Sequence, residues 1–418
     1  MPTPDKTEQD KVTLVIDGKV HSAWSRYQID SDFLVPADAW SVTLGLPEGK
    51  FPAVIQRGAP VVVRIGNDIV MSGRIDAVQR RVSRQQVALT VTGRDGSAVL
   101  VDCASPVFTS RQLSLEEVIA RVVRPLGVKN IRIMAESSIQ SDKVSVEPGE
   151  RAWDTLERAA SARGLWPWFD PDGTLVIGGP DYTADPVATL ILNRDGKGTN
   201  VLDLNDRSSI NGSFSELTVL AQGHAQGSKS AKNDTEIIDV DDGSDTAHDA
   251  ATFAQPADDS AGVSDDDDIL MTTGTPETGQ HGLRSTVRDT TVPYYRPQIM
   301  MVGDADNQEQ TDFRARKAMA DARLNGYDLT AVVQGHRMAS GKLWQPGQRI
   351  RVRCDILGID DIYFLMGREF SGGRPDGAIT TLRFKEDGIW IPDAFPKKRK
   401  TRKRRTKTNK ELEIIDVE

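Results

Sequence analysis

Two stretches of this sequence, residues 57–95 and 345–387, repeat the same order of features although they lie far apart in the chain. Each has a glycine near its start, an alternating strand, a turn, an apolar strand that ends in Gly-Arg, and a further strand before Asp-Gly. The matching segments are RGAPVVV (57–63) with PGQRIRV (346–352), and IVMSGR (69–74) with YFLMGR (363–368). The sequence therefore predicts two copies of a three-stranded β unit, unless two short alternating patterns resemble each other by coincidence.

The wide separation of the two copies limits the architecture. Solenoid proteins need neighbouring copies at a fixed short period, and this sequence has no such period. Two similar β units in one chain have a different use, because three chains in a closed ring would present six near-equivalent units. Such a ring could join an object of threefold symmetry to one of sixfold symmetry.

The region around the first copy is predicted to be a small β domain, residues 10–105. Lys11–Ser22 alternates apolar and polar residues around Asp17-Gly18, a dipeptide that favours the positive φ angles of a tight hairpin turn. Further strands are expected at 41–46, 61–65, 69–75 and 86–92. Several short strands in a segment of ~90 residues are typical of a barrel or sandwich.

Residues 106–185 show a helical period and are predicted to form an α+β module. Ser114 and Glu117 have the spacing of a capping box, and the apolar residues that follow lie on one helical face. A second helix is expected at 150–163. Strands at 165–169 and 174–177 should then pair across the turn between them.

Residues 186–390 are predicted to form a second β domain that contains the second copy. A helix is expected at 310–325, with strands at 328–334, 348–354, 362–367 and 379–385. The segment 234–268 holds thirteen acidic residues and no lysine or arginine. Because so polar a segment cannot bury enough apolar surface to offset its ordering entropy, it is expected to be a mobile loop.

Residues 391–418 are predicted to be a basic, disordered tail, since residues 397–407 hold nine cations in eleven positions. The net charge of the whole chain is nevertheless −9, so the remaining surface is acidic and unsuited to general nucleic-acid binding. The tail could serve solubility, dock onto an acidic partner or contact DNA. No segment has the length of a membrane span or the pattern of a signal peptide, so a cytoplasmic site of synthesis is expected.

Motifs for catalysis or ligand binding are not found. The five histidines share no metal-ligand spacing and lie beside no candidate nucleophile; they are His21, His224, His248, His281 and His336. Cys103 and Cys354 are outside any zinc or disulfide pattern and are interpreted as small buried hydrophobes. We therefore predict no catalytic, cofactor-binding or metal-binding residues, no cofactor, and a protein that is not an enzyme.

Five segments, in this order, carry a family resemblance: KVTLVIDGKV (11–20), GRID (73–76), PGERAWDTL (148–156), GLWP (164–167) and PGQ (346–348). On these segments the chain resembles the baseplate hub proteins of Mu-like contractile-tailed phages, which are related to late control protein D and to the hub portion of type VI secretion spike proteins. The resemblance covers most of residues 10–390.

The resemblance implies an α+β, mainly β fold, with two similar small β-barrel-like domains and an inserted α+β module. It also implies a homotrimer that closes into a pseudo-sixfold ring between the tail tube protein and the central spike protein, beside other baseplate proteins. The expected location is the tail baseplate of the virion, after assembly in the host cytoplasm.

A peptidoglycan-binding tail protein or a tail-associated muramidase is the alternative. Residues 149–156 are loosely similar to the entry helix of LysM carbohydrate-binding modules. Glu147, Glu150 and Asp154 supply carboxylates around this helix, and a glycosidase needs only two carboxylates at the right separation.

Overall fold

A computed structural model describes residues 10–390, except for 23, 46–50, 85–86, 108, 111–113, 135–143, 147, 162–163, 222–268, 273–281, 303–304, 306–307 and 374–376. The predicted acidic loop at 234–268 and the predicted basic tail at 391–418 lie outside the described residues. The fold is mainly β, with 48% strand and 16% helix, as the sequence predicted.

The first part of the chain is all β. Its strands are β1 (Val12–Ile16), β2 (Lys19–His21), β3 (Arg26–Asp32), β4 (Ala39–Gly45), β5 (Pro60–Ile65), β6 (Asp68–Val82) and β7 (Val87–Asp95). The predicted hairpin is confirmed, because β1 and β2 pair antiparallel across Asp17 and Gly18, which both have positive φ angles. Strand β3 was missed, since its sequence RYQIDSD is largely polar.

The next part is the α+β module. It contains α1 (Ala98–Asp102), β8 (Thr109–Ser110), α2 (Leu115–Val122), a 3-10 turn (Arg124–Leu126), β9 (Ile131–Ile133), β10 (Val144–Ser145), α3 (Ala152–Ser161), β11 (Trp166–Phe169) and β12 (Leu175–Gly178). The Ser114 and Glu117 capping box is confirmed at the start of α2. Helices α2 and α3 bury their apolar faces together with β12, so this module has a core of its own.

The rest of the chain holds one long helix and ten strands among its described residues. They are β13 (Ala188–Leu192), β14 (Asp203–Ser208), β15 (Glu216–Ala221), β16 (Ile269–Thr272), β17 (Leu283–Asp289), β18 (Pro297–Val302), α4 (Gln308–Gly326), β19 (Tyr327–Gln334), β20 (Arg349–Cys354), β21 (Ile359–Gly373) and β22 (Gly377–Glu386). The predicted helix and the last four predicted strands are confirmed. Strands β13 to β18 were not predicted; β15 to β18 form a four-stranded sheet that packs on α4.

The expectation of two separate barrel-like domains is not confirmed. The described strands form no closed barrel; instead both β regions share one 13-stranded sheet. Its main path runs β14-β19-β22-β21-β3-β4-β7-β6-β5-β1-β2, with β20 and β13 beside β21. The physical reason is the pairing of β3 with β21, which joins the two regions edge to edge.

The hydrophobic core follows this shared sheet. Apolar residues from the first region, such as Leu14 and Ile75, belong to the same buried cluster as Leu365 and Leu382 from the second region. Folding of the two regions is therefore coupled through one core. Among the described residues, no helix is long and apolar enough to cross a membrane.

Candidate assembly surfaces

The two halves of the large sheet have equivalent strands. The three-stranded units β5-β6-β7 and β20-β21-β22 correspond, and each continues on both sides. Beyond β7 come β4 and β3, and beyond β22 come β19 and β14. Beyond β5 comes β1, which is antiparallel, whereas β13 lies beside β20 in the parallel direction. The duplication that the sequence predicted thus extends from three strands to five, because β1 and β13 run in opposite directions relative to their neighbours.

In each unit, the segment just before the first strand forms the same pair of backbone hydrogen bonds with the second strand. In the first unit the Gly58 N–H donates to the Ile75 carbonyl at 2.7 Å, and the Ile75 N–H donates to Ala59 at 3.0 Å. In the second unit Gly347 donates to Leu365 at 2.8 Å, and Leu365 donates to Gln348 at 2.9 Å. Both glycines have φ angles that favour glycine, +80° and +90°.

These hydrogen bonds correct the alignment of the two repeats that the Gly-Arg dipeptides suggested. They make Ile75 equivalent to Leu365, and each is followed at once by a β-bulge. Gly367 is therefore the counterpart of Ala77, and the match between Gly73-Arg74 and Gly367-Arg368 is wrong by four residues. A Gly-Arg dipeptide is too short to define a register, whereas the bulge is a structural landmark.

Within the chain, the two units meet where β3 pairs antiparallel with the second half of β21. Ile29 on β3 lies opposite Phe370 on β21, and both side chains are fully buried. Arg383 on β22 forms ion pairs with Asp30 and with Asp32, the latter at 2.8 Å. This junction combines the buried apolar pair Ile29 and Phe370 with the ion pairs of Arg383.

A buried histidine also bridges the junction. His336 is 0% exposed, and its Nε2 lies 2.7 Å from the Tyr27 hydroxyl while its Nδ1 lies 3.1 Å from the Thr380 hydroxyl. Burial, with the nearby Arg368 and Arg337, lowers the pKa of His336 to about 4. The imidazole is therefore neutral near pH 7, and one nitrogen can donate while the other accepts.

A small cavity lies where the module meets both β regions. Its lining includes Asp38 and Asp95 from the first region, Trp168 from the module and Arg368 from the second. Burial raises the pKa of Asp38 to about 6, and burial and then Asp38 raise that of Asp95 well above its usual range. Burial in turn lowers the pKa of Arg368 to about 10. The arrangement resembles a structural charge cluster, since Ser97 and backbone N–H groups satisfy the carboxylates.

The residues that could have carried catalysis are scattered. His224, His248, His281 and Glu147 lie outside the described residues, and His21 lies on the first hairpin. Glu150 pairs with Arg158 at 2.8 Å. In the part of the chain that the structure describes, no three His, Cys, Asp or Glu side chains converge as metal ligands. The absence of catalytic, cofactor and metal residues stays a prediction.

Trp153, the aromatic residue of the segment similar to a LysM helix, is 2% exposed. Its indole N–H donates to Glu157 at 3.1 Å, and its ring packs in the core of the module. A sugar ring could not stack on this side chain without opening that core, which weighs against carbohydrate contact through Trp153.

Among the described residues, three of the strand edges that lack a neighbouring strand are candidates for assembly contacts. The second half of β6 and all of β14 have no strand on their outer sides within the described chain. Strand β18 ends the four-stranded sheet and exposes uncharged apolar side chains, with Ile299 at 64% and Met301 at 79%. Unpaired edges of this kind are surfaces that proteins either protect or use for assembly. Strands β14 and β18 were not predicted from the sequence. The sequence around them has no helical period, which is compatible with strands but does not locate them.

In comparisons with known proteins, four segments of the chain match family models of tail or baseplate proteins. Residues 11–95 match the family described as Mu phage baseplate assembly protein GpP-like, N-terminal, and residues 97–179 match baseplate hub protein gp44-like, second domain. Residues 272–319 match tail protein NMB1110-like, third domain, and residues 321–389 match tail protein, C-terminal domain.

Whole-chain relatives agree with these matches. The chain is 24% identical over 362 residues to baseplate hub protein gp44 of Escherichia phage Mu, covering 85% of this chain and 82% of that protein. The tail protein from Neisseria meningitidis MC58 is 34% identical, with coverage of 92% and 99% and a TM-score of 0.73. The 43 kDa tail protein of prophage MuSo2 from Shewanella oneidensis is 21% identical, with coverage of 90% and 98% and a TM-score of 0.69.

Proposed function

This chain belongs to the family of Mu-like phage tail and baseplate hub proteins, and from that premise we propose that three copies form a pseudo-sixfold ring. The observation that carries the proposal is the five-stranded duplication. Two equivalent units in each of three chains give six similar positions around one axis, while the chain itself repeats only three times.

The ring would act as an adaptor in the baseplate. One face, with six similar positions, would fit a sixfold tail tube protein, and the threefold chain repeat would fit a trimeric central spike protein. Other baseplate proteins would contact the periphery, where strand β18 offers an uncharged apolar edge. Assembly would occur in the host cytoplasm before the particle is complete.

The domain division goes with this role. We propose that residues 10–105 and 186–390 supply the ring and that residues 106–185 form a peripheral module with its own core. The family model that matches the module spans residues 97–179, so its limits lie near both boundaries of the module, which supports the division. Residues 391–418 would serve solubility or dock onto an acidic partner in a later assembly step, with DNA contact as a less favoured role.

The proposed activity is assembly and not catalysis, as in the structural tail proteins to which the chain is similar. Light scattering and negative-stain imaging of the purified full chain test the ring. The expected particle is annular, with three times the 45.8 kDa mass of one chain. Monomers without annular particles at micromolar concentration would contradict the proposal.

A further inference from the structure

One strand edge is covered in the second unit and open in the first. Strand β21 pairs along one side with β22; on its other side, Ile359–Phe364 pairs with β20 and Gly367–Gly373 pairs with β3. Strand β6 likewise pairs along one side with β7, and Asp68–Arg74 pairs with β5. On the side away from β7, its second half, Ala77–Val82, pairs with no strand among the described residues. The position that β3 fills on β21 is thus vacant on β6.

The counterpart of β3 is equally unpaired. Strand β14 pairs with β19 as β3 pairs with β4, and in the described sheet β14 is the last strand on its side. Five of its six residues are exposed, and Leu204 is half-buried. Each chain therefore presents one unfilled edge, on β6, and one strand whose equivalent fills that kind of edge.

The register in which β14 would pair with β6 can be derived from rows of directly opposed residues, followed from strand to strand across each unit. In the first unit the row is Ile75, Gly93, Trp40 and Ile29; in the second it is Leu365, Phe384, Leu329 and Asp206. Asp206 is therefore the counterpart of Ile29. Five residues after the equivalent positions Ile75 and Leu365 come Arg80 and Phe370. Since Ile29 lies opposite Phe370, the transferred register sets Asp206 opposite Arg80.

We propose that β14 of one copy pairs antiparallel with Ala77–Val82 of the next copy, with Asp206 opposite Arg80 and Leu204 opposite Val82. The inference rests on the proposed ring and names the contact that closes it. Because the contact joins two different surfaces, it runs head to tail and consumes both open edges at every step around the ring.

Charge and polarity support this register. The β6 edge carries Arg80 and Arg81, whereas β14 carries Asp203 and Asp206 together with one cation, Arg207, all of them exposed. Opposite charges on directly opposed residues stabilise an antiparallel pair, and pairing of either edge with its own copy would oppose like charges in several registers. Val82 is 69% exposed and would gain an apolar partner in Leu204.

The Arg80 side chain is already held at this edge. Its guanidinium donates to the Ile55 carbonyl at 3.1 Å and lies over the Phe51 ring, 5.7 Å from the centroid. These contacts reduce the conformational entropy that Arg80 would lose when a partner carboxylate binds. Because arginine has five N–H donors, the guanidinium can donate to a partner carboxylate in addition to Ile55.

Disulfide trapping tests the register in the full-length chain. Opposed residues of an antiparallel pair have Cα separations of about 4.5–5.5 Å, within the range of a disulfide. The double variant Arg80→Cys with Asp206→Cys should form, on mild oxidation, a covalent ladder that ends at the trimer. The matched control pairs Arg80→Cys with Asn205→Cys, which faces the opposite side of the sheet, and should give at least tenfold less product.

Charge reversal provides a second readout. Arg80→Asp or Asp206→Arg should weaken association about tenfold or more, and the double reversal should restore it. Asp185→Arg, at an exposed site away from both edges, should leave association unchanged. If light scattering finds the trimer but neither trapping nor charge reversal acts at these sites, the strand pairing is wrong and the ring stands. If the chain stays monomeric, the ring itself fails, and the pairing with it.

Discussion

The two positions at which a strand can join the next unit differ in chemistry although they are equivalent in topology. At the junction inside the chain, Ile29 and Phe370 are opposed and fully buried. Their counterparts Asp206 and Arg80 are exposed and charged. A contact that forms during folding can be apolar, because it is never presented to solvent by the native chain. A contact between separate copies must leave each copy soluble beforehand, which favours charge on an open edge.

The largest expected effect is a difference in the loss of unfolding free energy between substitutions at Phe370 and at its counterpart Arg80. Phe370→Ala should lower the free energy of unfolding by about 3–5 kcal/mol, because it removes a buried ring and leaves a cavity. Arg80→Ala at the equivalent position should change it by less than about 1 kcal/mol, since the site is exposed. Urea unfolding of both variants at a concentration where the chain is monomeric makes the comparison. Equal losses of unfolding free energy in the two variants would contradict the assignment of Phe370 to a buried junction and of Arg80 to an open edge.

The second effect concerns the pH dependence of stability that arises at Asp38. The pKa of Asp38 is raised to about 6 by burial, above its usual value, so the folded protein holds a proton that the unfolded chain releases. Stability should therefore be highest below about pH 4 as far as this group is concerned, and decline as pH rises through about 6. The decline should be about 1–2 kcal/mol, since Asp38 retains some exposure.

Asp38→Asn is the matched variant for this pH dependence. It keeps an oxygen that can accept from the Asp32 N–H and removes the titrating group. The unfolding free energy of the variant should increase relative to that of the unmodified chain as pH rises from 4 to 8, because other titrating groups such as His336 contribute equally to both proteins. A parallel fall in both proteins would mean that Asp38 does not titrate in this range.

A smaller and symmetric effect is expected at the two entry glycines. Gly58→Ala and Gly347→Ala each force a Cβ into a positive φ angle, at a cost of about 1–2 kcal/mol. At Gly347 the added Cβ would also lie 3.4 Å from the Phe33 ring, so its loss should be equal or slightly larger. Thermal unfolding of the two variants provides the check. A loss at only one glycine would weaken the equivalence of the two units.

The smallest expected effect is that of the basic tail. Removal of residues 391–418 should leave the oligomeric mass unchanged, because the proposed ring contacts lie within residues 77–82 and 203–208. Light scattering of the truncated chain checks this point. Loss of the trimer on truncation would show that the tail takes part in ring closure.

Much of the fold could be predicted where local chemistry determines it. The Asp17-Gly18 turn, the Ser114 capping box and the helix that begins near Gln310 each carry a short-range signal. The duplicated unit was also visible, since strands alternate and glycines recur. These features depend on residues close in sequence, so the sequence alone is informative about them.

The candidate contact surfaces could not be predicted in the same way. Strand β14 reads DLNDRS and has only one apolar residue, so no period of two marks it as a strand. Its strand conformation depends on β19, more than a hundred residues later. The register of the duplicated units likewise required the bulges after Ile75 and Leu365, which the Gly-Arg dipeptides did not reveal. Two separate barrel-like domains were expected because the sequence does not show that β3 pairs with β21 as well as with β4 of its own unit.

The most direct measurement is amide hydrogen exchange of the full chain as its concentration rises through the range in which particles assemble. Exchange at residues 77–82 and 203–208 should slow together, to the same extent, as the trimer forms. Exchange at the equivalent strands β3 and β21 should be slow at every concentration, because that pairing exists within each chain. Unchanged exchange at both open edges in samples that contain the trimer would contradict the proposed closure of the ring.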